Sequence, residues 1–90
     1  MKILTIRPHG QLSVQYHHHR SEAWRVLRGS GEVLLGETWQ PCSEGDTFTI
    51  PQSTHHSLRG GESGIEVLEI AHGAFDEEDI VRVSDVYGRA

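Results

Sequence analysis

Three imidazoles, a carboxamide and a carboxylate fall within the eight residues Gln15-Tyr16-His17-His18-His19-Arg20-Ser21-Glu22. Groups of these types packed this closely have the chemistry to hold a metal ion. If residues 12–17 form a strand, side chains two apart share a face. Gln15 and His17 then point one way, and Leu12, Val14 and Tyr16 point the other, with Glu22 following after a short bend. The histidines sit inside a strand pattern and away from either terminus, unlike a purification tag.

The elements that must position these groups are strands. Short runs rich in Val, Ile, Leu and Thr, punctuated by glycines, predict strands at 2–6, 12–17, 23–28, 32–35, 38–40, 47–50, 56–58, 65–71 and 80–83. That spacing predicts an all-β sandwich or barrel. Gly29-Ser30-Gly31 and Gly36-Glu37 read as hairpin turns, and Ser43-Glu44-Gly45-Asp46 and Arg59-Gly60-Gly61-Glu62 as longer loops. The acidic stretch from Phe75 to Asp79 predicts one helical turn, and residues 85–90 show no periodicity. Ninety residues make one small domain, whose stability is expected to lean on a metal, a closed barrel or a partner subunit. Cys42 is the single cysteine, so no intramolecular disulfide forms, and the absence of an export-type N-terminal segment predicts a cytoplasmic location. Thirteen acidic against 8 basic residues give a net charge of −5, which disfavours nucleic acid as a partner. No apolar run approaches the roughly 18 residues of a membrane-spanning helix, so no membrane partner is expected.

A second block has specific spacing. In Gly45-Asp46-Thr47-Phe48-Thr49-Ile50-Pro51-Gln52-Ser53-Thr54-His55-His56 a glycine is followed after five residues by a proline, and a histidine comes five positions later. This resembles the second of two motifs that mark cupins. Gln15, His17, Glu22 and Gly29 stand at the distances of the first motif, with Gln15 where most cupins carry His. The resemblance implies a single-domain cupin over residues 1–90, a double-stranded β-helix or jelly-roll barrel. It also implies a ligand set of Gln15, His17, Glu22 and His56. Imidazole nitrogen with carboxylate or carboxamide oxygen and no thiolate argues against a structural zinc site, and permits one divalent ion among Zn, Mn, Fe, Co or Ni. A second register stays open: a strand continuing to His19 pairs His17 with His19 ahead of Glu22. His18 and His55 are expected to face outward, and His9 and His72 to lie at the surface.

The wording narrows the resemblance further. The run Leu12-Ser13-Val14-Gln15-Tyr16-His17-His18-His19-Arg20-Ser21-Glu22-Ala23-Trp24 resembles the isomerase domain of type II phosphomannose isomerases, usually fused behind a mannose-1-phosphate guanylyltransferase domain. The later segments Glu66-Val67-Leu68-Glu69-Ile70, Glu78-Asp79-Ile80-Val81-Arg82 and Asp85-Val86-Tyr87-Gly88-Arg89 are similar to the end of that domain. Its Gln-x-His pair is similar to the metal ligands of type I enzymes, which favours Gln15 over His19. Departures are Ala23 for the family's His, Gln52-Ser53 where Pro51 should precede x-Gly, and Gly60 for Asn. The resemblance does not reach the guanylyltransferase domain, so no nucleotide-sugar synthesis is expected. Nor does it include the Arg-Pro-Trp-Gly segment before the barrel, so a partner chain is expected to supply a first strand in a homodimer.

What the resemblance implies about activity is the interconversion of mannose 6-phosphate and fructose 6-phosphate through a cis-enediol. That reaction needs a polarised carbonyl, a base that moves a proton between C1 and C2, and a cation for the phosphate. Arg20 and Arg89 are the expected phosphate holders, with Arg82 in reserve and Arg20 also counted as catalytic. His19 is the expected base. Asp85 and Tyr87 either shape the pocket or dock the tail. Two other readings compete: a non-catalytic metal-binding cupin for a small sugar or acid, favoured by the departures, and another cupin enzyme such as a dioxygenase or decarboxylase.

Overall fold

A computed structural model describes residues 1–73 and 79–84, and every regular element among them is a strand. In chain order these are β1 (Lys2–Ile6), β2 (Val14–Tyr16), β3 (Arg20–Leu35), β4 (Thr38–Ser43), β5 (Thr47–Ile50), β6 (His56–Gly73) and β7 (Val81–Ser84). Alternation of burial explains why they form. In β3 the side chains of Glu22, Trp24 and Val26 face inward while Arg25 and Arg28 are exposed, and in β6 Ile65, Val67 and Glu69 are buried.

Two long strands make the frame. β3 and β6 pair antiparallel over their whole lengths, from Arg20↔Gly73 at one end to Leu35↔His56 at the other. The register slips twice on the way, between Val26 and Arg28 and between Gly29 and Gly31. Each long strand changes its outer neighbour across these bulges. Before them β5 lies on residues 22–25 of β3 and β1 on residues 65–69 of β6; beyond them β4 lies on residues 30–35 of β3, while β2 joins β6 at Gln15↔His56 and carries β7 on its far edge. Bulges bend a strand and increase its twist. The sheet therefore folds over on itself, and side chains from both halves meet in one core: Ile6, Trp24, Val26, Ile50, Ile65 and Val67 from one, Val33, Cys42 and Leu58 from the other. Each fully buried aliphatic side chain there contributes about 1.5–3 kcal/mol. Burial pushes the Cys42 thiol up to about 11, a core group rather than a reactive one.

Three expectations from the sequence need correction. Gly29-Ser30-Gly31 is no turn, and Arg59-Gly60-Gly61-Glu62 is no loop; both run inside the long strands, facing each other across the bulges. Gly29 adopts φ +81, and a methyl group on it would run into the Gly64 carbonyl. Glycine serves here to let two backbones approach while the strand continues. The strand predicted at 12–17 shortens to Val14–Tyr16, because the chain bends at residues 17–19. By contrast, the turn at Gly36-Glu37, the loop at 43–46 and the strands at 2–6 and 47–50 stand where the sequence places them. The predicted helical turn falls largely on residues outside those described; Asp79, at its end, is not helical.

Gly29 and Gly36 both hold positive φ, but Gly36 faces open space. Alanine at either pays the same left-handed backbone cost, so the difference between them reports the close approach at the bulge. Urea unfolding should show Gly29→Ala more destabilised than Gly36→Ala by about 1–3 kcal/mol. Equal losses would mean that the bulge tolerates a side chain.

Candidate metal centre

The bend brings the two ends of the β3–β6 ladder together. Glu22 pairs with Ala71 near one end and His56 with Leu35 at the other, yet the Nε2 atom of His56 lies 3.7 Å from Glu22 Oε1. His17, just past the end of β2, completes the group with its Nε2 3.3 Å from Glu22 Oε2. One potential ligand atom from each of His17, Glu22 and His56 falls within 4.8 Å of the others, and all three residues are buried.

The hydrogen bonds around this group orient it. His17 Nδ1 donates to the carbonyl of Asp79, and His56 Nδ1 donates to the carbonyl of Thr54 at 3.0 Å. With both Nδ1 atoms so engaged, each ring turns its Nε2 toward the cluster. Trp24 donates its indole N–H to Glu22 Oε1 at 3.0 Å, while Glu22 Oε2 has no hydrogen bond among the described residues. Two lone pairs and a carboxylate oxygen thus converge in a site shielded from water, an arrangement that demands a cation. Arg20 responds to that demand: its Nη2 is 3.1 Å from His17 Nε2 and its Nε 3.3 Å from Glu22 Oε2. The donor set, the fixed tautomers and the orphaned oxygen fit a divalent metal ion held by His17, Glu22 and His56. Burial pushes the His56 pKa below its ordinary value, partly offset by the Thr54 carbonyl, so the ring favours the neutral form that a ligand requires.

The cluster opens into a cavity of about 300 Å³ lined by polar Gln15, Arg20, Lys2 and Glu69 and by apolar Leu4, Leu12 and Ile80. Gln15 shares that wall with His17, and its amide nitrogen lies 3.4 Å from the Ser13 carbonyl. Leu12 also lines the cavity instead of facing away, since it precedes β2 and a bulge separates Val14 from Gln15.

His19 is not at the site. Asp79 accepts hydrogen bonds from the backbone amides of His18 and His19, both at 2.8 Å, and this clamp turns the chain so that the two side chains are exposed. The register pairing His17 with His19 is therefore not formed, and the base role expected of His19 has no geometric support. His18, His55, His9 and His72 are exposed, as expected. Arg82 lies opposite Gln15 in the β2–β7 pairing, while Arg89, Asp85 and Tyr87 fall outside the described residues.

Trp24, Glu69 and Lys2 line the cavity without having been singled out by motif. Alternation carried the signal: Glu69 continues the inward face of Ile65 and Val67, and Lys2 that of Leu4 and Ile6. Burial, and then the neighbouring Glu22, push the Glu69 pKa upward, with Lys2 drawing it back down.

Comparison with known proteins agrees with this architecture. The family described as mannose-6-phosphate isomerase C-terminal matches residues 1–85. A mannose-1-phosphate guanylyltransferase of Klebsiella pneumoniae is 41% identical over 96% of this chain, and the alginate biosynthesis protein AlgA of Pseudomonas putida 40% identical over 99%. The chain spans 19% of the length of each. Among solved structures, oxalate decarboxylase from Bacillus subtilis superposes with a TM-score of 0.79 over 90% of this chain and 22% of its own, at 22% identity. The Cnp3 cupin domain of Schizosaccharomyces pombe superposes with a TM-score of 0.75 over 80% of this chain and 53% of its own, at 15% identity. At these identities the structural likeness establishes the fold alone: the chain is an all-β cupin.

Two measurements check the site. In a competitive chelator titration, His17→Ala, Glu22→Ala and His56→Ala should each abolish stoichiometric divalent-metal binding. Gln15→Ala should weaken it by about 10–100-fold, and His19→Ala should leave it unchanged; loss in His19→Ala with retention in His56→Ala would overturn the assignment. The second concerns pH in the metal-free protein. With the folded pKa of His56 below its ordinary 6.5, the unfolded chain takes up a proton first on acidification. His56's contribution is therefore complete above about pH 6.5 and is lost as pH falls below it. His56→Gln should lose less unfolding free energy than the wild type between about pH 7 and 5.5.

Proposed function

This chain belongs to the mannose-6-phosphate isomerase C-terminal family, and from that premise we propose that it interconverts mannose 6-phosphate and fructose 6-phosphate in the cavity beside His17, Glu22 and His56. The supporting observation is the buried, acceptor-rich cluster at the base of a polar cavity large enough for one small sugar phosphate. A divalent ion held by His17, Glu22 and His56 would supply positive charge at a carbonyl oxygen that turns negative as the enediol forms.

The remaining work belongs to the chain's own side chains. Trp24 holds Glu22 in one orientation through its indole N–H, and the Asp79 and Thr54 carbonyls fix the two imidazoles. Both rings are thereby preorganised rather than reoriented on each turnover. Leu4, Leu12 and Ile80 give the cavity apolar walls that limit water access to an enediol. Gln15 and Glu69 present hydrogen-bonding groups to sugar hydroxyls, and Arg20, already beside the cluster, adds positive charge near the reacting end.

The exposed position of His19 favours a second reading, a cupin that binds a metal and a sugar phosphate without proton transfer. One assay separates the two. Protein reconstituted with Mn, Zn or Co should convert mannose 6-phosphate to fructose 6-phosphate with solvent deuterium appearing in the product, and Glu22→Gln should lower kcat/KM by at least about a hundredfold. Binding of the sugar phosphate with no turnover under any of these metals would establish the second reading.

A further inference from the structure

We propose that Lys2 is the anion anchor of the cavity, its ammonium holding the substrate phosphate while the His17, Glu22 and His56 cluster faces the sugar's reacting end. The inference rests on the sugar-phosphate reading above and assigns to it a residue that no motif marks.

Placement carries the argument. Lys2 lies directly opposite Glu69 on β6, which lies directly opposite Trp24 on β3. Residues directly opposite in neighbouring strands point to the same face, so Lys2, Glu69 and Trp24 form one row across the inner wall. Glu22 lies two residues along β3 from Trp24, on that same face. With about 4.8 Å between strands and about 3.4 Å per residue, the Lys2 backbone stands about 10 Å across and about 7 Å along from that of Glu22. Both side chains line the same cavity, so one bound molecule can reach Lys2 and the cluster together.

Charge points the same way. The described lining contains two cations, Arg20 and Lys2. Arg20 is committed to the cluster end by its contacts with His17 and Glu22. Lys2 enters into no ion pair among the described residues, not even with Glu69 across the strand pair. As an exposed residue at the rim it keeps its charge hydrated until an anion arrives, so little desolvation opposes binding. Lysine binds phosphate as a point charge, which suits a flexible side chain at a mouth.

The test uses the full chain, with and without added Mn²⁺, and titrates mannose 6-phosphate and mannose by calorimetry into wild type, Lys2→Met and Lys2→Arg. Wild type should prefer the phosphate ester, and that preference should weaken with salt. Lys2→Met should bind the ester about 10–100-fold more weakly, with mannose binding unchanged, and Lys2→Arg should recover most of the loss. The mannose titration and the unchanged metal content of Lys2→Met serve as the check on folding. An undiminished preference in Lys2→Met, or no preference in the wild type, overturns the anchor. Turnover is scored separately: Lys2-dependent binding without fructose 6-phosphate formation defeats the isomerase reading and leaves the anchor standing, whereas turnover with an unchanged KM in Lys2→Met does the reverse.

Discussion

Glu22 carries a carboxylate that is only 2% exposed, and much of the structure is arranged around keeping it there. A lone buried charge is costly enough that folding would expel or neutralise it unless partners surround it. Here the partners come from four places: Trp24 on the same strand, His17 beyond β2, Arg20 at the start of β3 and His56 at the start of β6. Trp24 and Arg20 are placed by the strand that carries Glu22 inward, whereas His17 and His56 arrive from elsewhere in the chain. The carboxylate thus couples the ends of the molecule, and the same convergence that makes it tolerable gathers the donors that a metal ion would need.

That convergence depends on a bend. A straight β3–β6 ladder would hold Glu22 and His56 at opposite ends of a long ribbon, with both faces open to water. The bulges near Gly29 and Gly31 fold the ribbon, allow each long strand to recruit a different neighbour on either side, and enclose an apolar core between the halves. Core and site are consequently not independent. Trp24 contributes to the core with its rings and to the site with its N–H, so changes in packing there are transmitted directly to the orientation of Glu22.

The cavity is also asymmetric in charge. Its base collects lone pairs and a carboxylate, with Arg20 drawn in against them, while Lys2 stands on a separate strand toward the rim. A substrate with a carbonyl at one end and a phosphate at the other matches that polarity. The same division explains why Arg20 and Lys2 are not equivalent cations: one is held by the acceptors of the cluster, the other enters no ion pair among the described residues.

Residue types and local alternation determined much of this protein. The all-β character, the strands at 2–6 and 47–50, the Gly36-Glu37 turn and the outward pointing of His55 follow from period-two patterning and turn chemistry within a few residues. The spacing around Glu22 and His56 matched a known motif and so marked the cluster. Other features were decided only in three dimensions. Gly29, Gly31, Gly60 and Gly61 look locally like the glycines of turns, and it is the facing backbone that keeps them inside continuous strands. Whether Gln15 or His19 lies beside His17 depended on Asp79, some sixty residues away in sequence, whose carboxylate captures the His18 and His19 amides. The reason is the same in each case: alternation tells which face of a strand a side chain takes, but which strands meet across the interior is settled by long-range packing that no short window contains.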